Sequence, residues 1–559
     1  MSVLSTHPRQ LRRWHLDWPL LAIYLAGLAT RAAFASLPRV ARWDEAAYLT
    51  IAHNLLTGRG YSELMGAMDV HQPPMVSLLA AVGLALRLPL EWAAAAPAHL
   101  LLGSLVVLPL YALGSALFGR RAGLMAALLA AFYPALAVHP LYWGTMTEPP
   151  YLLFILSGIY ATYRCGRALA SGAQPWGWAA AMGLAFGLGF LTRPEALIFL
   201  AAMLGYLGLL WLCAGPPRGR RLARLAASGA LAAAMMTLLA LPYMFYLHQV
   251  TGRWMLSGKA GTSMDIAWAF VNDSQAMHDQ AAASLDSSGQ EIMWLSPEAF
   301  DVSISGWILE DPARFATLVR QNMIDSWREL FSQELFQPWL WGLIALGLFS
   351  QPWTRARLRD NLLILCALAP LASLWIVFIE TRFMVAYLAI SLPWAGAGLA
   401  HLTGWAADTV QPAGRGKPAA LHRGLAGALP AVLVVAAMLW SGIHAAQDLM
   451  PHLPFHRVEA ARWLAEQTPP GTPIMTRNAE TALYADRPMV AFPNAPWEQV
   501  LAYAKARGAR YLVVDEWEIN TVRPQLQQML AGDAAPLPGI TLVQQYEHPG
   551  HTIMLFRFE

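Results

Sequence analysis

The chain has 559 residues, of which 57% are hydrophobic and 13% charged, and its mean hydropathy is +0.40. Soluble domains carry about twice that charged fraction, so the composition excludes one and indicates an integral membrane protein. The net charge of +3 says little, but its distribution excludes a nucleic-acid patch. Arginines gather in short links between apolar runs: Arg9/Arg12/Arg13, Arg120/Arg121, Arg164/Arg167, Arg218/Arg220/Arg221/Arg224, Arg355/Arg357/Arg359 and Arg415/Lys417/Arg423. These read as cytoplasmic topology signals.

In chain order, runs long enough to span a bilayer are expected at 18–38, 97–117, 122–140, 149–168, 176–192, 195–214, 225–247, 336–350, 360–380, 383–403 and 425–446. The N-terminus has signal-peptide features, with Ala33-Phe34-Ala35 near the end of the first run, but reads as a retained span. A further apolar run, 75–90, would reverse every later basic link if it crossed, so it reads as re-entrant or interfacial. About eleven spans result, with the N-terminus inside and the C-terminus outside. Cys165, Cys213 and Cys366 lie in or beside apolar runs, so neither a disulfide framework nor a cysteine metal site is expected.

The external segments are then 39–96, 141–148, 193–194, 248–335, 381–382 and everything after 447. In the long segment, Asn272–Gly289 is polar and reads as mobile. Pro312–Phe331 has helical spacing and is expected to lie against the membrane. After His452 the composition becomes that of a soluble α/β domain. Helix-like 458–466 and 497–507 alternate with strand-like 473–476, 488–492, 511–515, 541–546 and 552–558, which predicts a small mixed sheet. The expected division is a membrane domain over 1–450 and an external α/β domain over 451–559.

The first external loop carries the most distinctive residues. Asp44-Glu45 opens it, a helix-like stretch runs to Leu56, Gly58-Arg59-Gly60-Tyr61 makes a turn, and His71-Gln72-Pro73-Pro74 closes it. Read without any relative, Asp44 is a good N-cap for that helix. The loop resembles that of the GT-C glycosyltransferases, membrane enzymes that take a sugar from a polyprenyl-phosphate carrier. It is most similar to the family-39 branch, which holds the protein O-mannosyltransferases and the lipid A aminoarabinose transferases. The resemblance covers roughly residues 15–405 and implies a mainly α, polytopic GT-C fold with an external C-terminal domain.

Transfer from a lipid phosphate needs a base for the acceptor and cations for the leaving phosphate. The resemblance points to Asp44 as the base. Glu45 is a partner, a metal ligand or only a first-turn acid. Glu148, in Thr145-Met146-Thr147-Glu148-Pro149-Pro150, occupies a place where relatives carry a second acid, although the same residues suit a helix start. External cations include Arg31, Arg59, Arg193, Arg253, Lys259 and Arg382. Arg193 and Arg382 resemble family positions at outer span ends; the alternative is interfacial anchoring or pairing with Glu195 and Glu380. Substrate contacts are therefore expected from Glu45, Arg59, Tyr61, His71, Gln72, Arg193, Lys259 and Arg382. Some relatives carry a lysine near His71 and Gln72, and this chain does not.

His53, His99 and His139 have no paired metal spacing. No cofactor is required by the sequence, and a divalent ion at Asp44 and Glu148 stays open. The reading is an inverting, polyprenyl-phosphate-dependent glycosyltransferase of the cell's inner membrane. Its partners are a lipid-linked sugar donor and a lipid, glycan or protein acceptor, with no nucleic acid. The rival is a transporter or flippase of a lipid-linked saccharide, which needs ionisable groups at mid-membrane or on both faces. A third reading makes the C-terminal domain a binding module on a degenerate scaffold.

Overall fold

Apolar runs in lipid must satisfy their backbone groups internally, and every run read as a span forms a helix. The computed structural model describes residues 17–213, 218–271, 275–300, 304–409, 417–531, 536–548 and 551–559; the basic residues Arg9, Arg12, Arg13 and Arg415 lie outside them. Among the described residues, six helices are long and apolar enough to cross a membrane: Trp18–Ala35, Ala96–Phe118, Leu222–Thr251, Arg355–Ile376, Thr381–Thr409 and Leu421–His452. Arg120–Phe132 and Pro134–Leu141 meet at 62° and make a seventh if taken as one broken span. The break follows from Pro134, which holds Tyr133 in an extended conformation (φ −62°, ψ 126°). The other four expected crossings are Glu148–Ser171 and the shorter Trp176–Thr192, Ala196–Leu212 and Pro338–Phe349.

The doubtful run 75–90 forms the 12-residue helix Pro74–Ala85, about 18 Å long against a hydrocarbon core of about 30 Å. It packs on the loop helix Asp44–Leu56 and on Ala96–Leu102. Pro338–Phe349 is as short but lies along Thr381–Thr409. There Gly347 and Gly398 bring the backbones together: a Cβ on either would sit 1.9 Å from a carbonyl oxygen of the other helix. Thr381–Thr409 is the central helix, buried over 83% of its most apolar stretch against 11% for Leu421–His452. Arg382 stands at its first turn.

Five strands follow: β1 (Ile474–Thr476), β2 (Met489–Ala491), β3 (Tyr511–Asp515), β4 (Ile540–Tyr546) and β5 (Ile553–Phe558). Their order is β2-β1-β3-β5-β4, with the first three parallel and the last two antiparallel. This is the mixed sheet expected, although helices Ala479–Ala485 and Glu516–Thr521, each under two turns, had too little periodicity to be read. Asn272–Gly289 is not a loose connection where it is described. Helix Gln275–Ala283 and the bridge Leu285–Ile292 dock on the sheet domain. Asp279 receives Arg477 Nε (2.7 Å) and Asn494 Nδ2 (2.9 Å) and pairs with Arg523 (3.2 Å). Pro312–Leu330 is helical as its spacing predicts, capped by the Asp311 side chain accepting from Arg314 N (2.9 Å). It leaves Met323, Ile324 and Trp327 exposed.

Candidate active site

Two loops build the acidic centre. Helix Asp44–Leu56 begins at Asp44 itself, and the cap position is Trp43, held at φ +51°. Asp44 therefore is not the N-cap that the sequence suggested; a first-turn carboxylate is free to turn elsewhere. Met146, two residues before Glu148, also has a positive φ (+56°). A Cβ makes such conformations costly, so both persist only where surroundings impose them. The loops are tied together: Glu45 N donates to Gly144 O (2.8 Å) and Arg42 Nη2 to Tyr142 O (2.7 Å).

Asp44 turns toward cations. Lys259 Nζ donates to both its carboxylate oxygens (3.3 and 3.1 Å), Gln72 Nε2 donates to Oδ1 (3.3 Å), and Arg382 Nη1 lies 3.8 Å from Oδ2. Burial opposes the charge on Asp44, but the pull of Lys259 and Arg382 and the bonds from Lys259 and Gln72 outweigh it. The carboxyl is thus held below the usual range. Glu148 is 1% exposed. It accepts from Thr145 Oγ1 (2.6 Å) and Arg193 Nη1 (3.3 Å), while Arg193 Nη2 donates to Glu195 (3.1 Å). Arg382 also pairs with Glu380 and stands 5.2 Å from the Phe383 ring, which Arg193 approaches at 4.8 Å. Arg193 and Arg382 line one cleft with Glu148, Tyr151, Phe383 and Tyr387.

Of the ten residues expected from sequence, Asp44, Gln72, Lys259 and Arg382 meet directly, and Glu148 and Arg193 meet beside them. Tyr48, 2% exposed, feels the charges of Asp44, Arg193 and Glu148 together. Tyr61 braces the loop by donating to Gln72 O (2.7 Å). His71 is 1% exposed and stacked on Trp294 at 4.3 Å, and burial pushes its pKa down to about 3. Two further expected residues stand apart from this cluster. Glu45 is 0% exposed and paired with Arg39, away from Asp44, because neighbours on a helix point about 100° apart. Arg59 is exposed at the turn after the helix, and no described contact joins it to the cluster.

Sequence reading missed Asp69. It is 2% exposed and its Oδ1 accepts from Gln72 N (2.7 Å), which sets the His71-Gln72 turn. Burial pushes its carboxyl up to about 7, against the bond from Gln72 and the pull of Lys259. Because the unfolded value is about 3.9, the folded chain binds the extra proton between about pH 4 and 7. That group's stabilisation is complete below pH 4 and is lost as pH rises through 7. Asp69→Asn keeps the accepting oxygen without the charge. It should raise stability at pH 8 by on the order of 2 kcal/mol and leave it unchanged near pH 4. Thermal unfolding in detergent at both pH values checks this, and an equal effect at both would remove titration as the cause.

A metal ion between Asp44 and Glu148 would have to displace Lys259 and Arg382 from one carboxylate and Arg193 from the other. Among the described residues, the three-residue His/Cys/Asp/Glu group with mutually close ligand atoms lies elsewhere, at His456, Asp515 and His551.

Residues 71–246 match the family model described as dolichyl-phosphate-mannose-protein mannosyltransferase, a stretch that holds Glu148 and Arg193 but not Asp44, Lys259 or Arg382. A search of curated protein sequences finds no match. The fold resembles ArnT from Cupriavidus metallidurans, solved bound to undecaprenyl phosphate, with a TM-score of 0.56 and 14% identity over 97% of this chain and 98% of that one. It also resembles the Archaeoglobus fulgidus oligosaccharyltransferase solved with zinc and sulfate (TM-score 0.57, 15% identity, 96% and 72% covered). A second structure from that organism, AglB with an inhibitory peptide and a dolichol phosphate, matches at 0.52 with 15% identity over 96% and 74%. The chain is thus a polytopic membrane protein of the GT-C fold, and its residues 71–246 match the mannosyltransferase family model.

Proposed function

We propose that the protein transfers a sugar from a polyprenyl-phosphate donor to an acceptor at the outer face of the inner membrane, with inversion. One observation carries this reading: Lys259, Arg193 and Arg382 converge on two acids, Asp44 and Glu148, in a cleft walled by aromatic rings. The acids differ in access. Asp44 keeps 24% of its side chain exposed and can meet an acceptor, whereas Glu148 is enclosed and orients Arg193. The acceptor oxygen attacks the anomeric carbon as the bond to the phosphate oxygen breaks. Asp44 takes the acceptor proton, and polyprenyl phosphate leaves on the arginines. Lys259 and Arg382 both pair with Asp44, so a donor phosphate that draws them toward itself raises the basicity of Asp44 when a base is needed.

The acceptor is a glycolipid, a polysaccharide or a protein. Cells lacking the protein should accumulate one polyprenyl-phosphate sugar, read by mass spectrometry of lipid extracts, and an unchanged lipid pool would overturn the reading. Its orientation follows from the basic links. With Cys165, Cys213 and Cys366 replaced, an impermeant thiol reagent should label a cysteine at exposed Ser287 in intact cells but not one at exposed Ala356. The reverse pattern would place the site on the other face.

A further inference from the structure

The C-terminal domain gathers histidines that the transfer chemistry does not use. His452 and His456 lie in the pattern His-x3-His, and His548 and His551 in His-x2-His. The fold brings one histidine of each pair, His456 and His551, to Asp515. Helix Phe455–Gln467 puts His456 in its first turn, β3 ends at Asp515, and the turn into β5 carries His548 and His551. Ligand atoms of His456, Asp515 and His551 all lie within 4.8 Å of one another.

We propose that His456, Asp515 and His551 form a zinc site joining the first helix of this domain to its sheet. His456 Nε2 is 3.3 Å from Asp515 Oδ2. Two ligands of a tetrahedral zinc, each about 2.1 Å from the ion, stand about 3.4 Å apart, so this edge already has the right length. His551 closes the third corner. Its ring lies parallel to that of His456 (4.9 Å between centroids, 16°) and its Nδ1 is buried without a hydrogen-bond partner among the protein groups. Turning that ring and shortening its approach by up to about 1.4 Å completes three ligands. His548, 5.8 Å from the His456 ring and paired with Glu459, is an imidazole in reach of the fourth position.

The charges suit a dication. Arg457 contacts the same Asp515 oxygen (3.0 Å), but its Nη1 donates to Glu480 (2.6 Å). The arginine and two carboxylates therefore sum to one negative charge beside the histidines. Two imidazoles and a carboxylate suit zinc, whereas the oxygen-rich coordination of magnesium or calcium does not. The site lies outside the cluster of Asp44, Glu148 and the arginines, so it is structural and not a step in transfer.

The test uses the full chain in detergent, with any affinity tag removed and metal stripped by a chelator, then titrated with zinc. Wild type should retain one zinc per chain after gel filtration, by elemental analysis, and unfold at higher temperature with zinc than without. His551→Ala should weaken binding at least about tenfold, as losses around metal ligands do, and should lose the thermal shift. His551→Gln, which keeps more of the side-chain bulk, should do the same while eluting as wild type. Asp44→Asn should keep its zinc. No retained zinc in wild type, or equal retention in both His551 variants, overturns the proposal. Loss of zinc in Asp44→Asn alone would move the ion to the transfer site and also overturn it.

Discussion

Asp44→Asn should express, insert and fold as wild type does and yet lose turnover by about 100-fold or more, the range of lost acid–base catalysis. Folding should be spared because the Asp44 side chain caps nothing and its partners are cations at a partly open site. Donor affinity should hold or tighten, since the neutral amide frees Lys259 and Arg382 for the phosphate. A fall in turnover without a loss of donor binding is the signature of a base; parallel losses would make Asp44 a binding group. Turnover above about a tenth of wild type would remove it from the chemistry. Glu45→Gln tests the neighbouring carboxylate and should fail differently. It leaves Arg39 buried without its anionic partner, at a cost of about 3–5 kcal/mol, so the loss appears as poor yield and early unfolding.

Arg382→Ala should cut donor turnover by some 30- to 1,000-fold, equivalent to about 2–4 kcal/mol for one charged partner removed from a partly dry site. Arg382→Lys should recover only part, because an ammonium lacks the planar fork that grips two phosphate oxygens. Near-normal turnover in Arg382→Ala would make the residue an anchor for its helix. Arg193 is a poorer probe of phosphate binding. Its removal strips the buried Glu148 of its cation and Glu195 of a partner, and so damages the fold as well.

Much of this site was legible because membrane topology sorts residues by side before any folding is known. External placement offered Lys259; external placement and the family resemblance together singled out Asp44, Glu148, Arg193 and Arg382, and the structure brings those five into one neighbourhood. Glu45 turns away from Asp44 because adjacent helix side chains point about 100° apart. Nothing local in the sequence tells an exposed turn such as that of Arg59 from a site rim. Asp69, Tyr48 and Trp294 stayed hidden for another reason. Their importance comes from burial and long-range stacking, as with Trp294 on His71, which no spacing records. In the last domain, alternating short strands and helices predicted the sheet. The histidine pairs drew no notice because they are 92 residues or more apart until β3 and β5 pair.

The docking of Gln275–Ala283 on the sheet domain has a bearing on how this protein can be taken apart. Asp279 is held by Arg477, Asn494 and Arg523, and Arg507 pairs with Glu291, all across the boundary between the long loop and the last hundred residues. The same loop delivers Lys259 to Asp44. The terminal domain is therefore no detachable module: a chimera that exchanges it would leave Asp279 facing foreign side chains and free one wall of the acidic centre. A functional swap has to exchange the long loop with the domain, cutting before residue 248 as well as after residue 447.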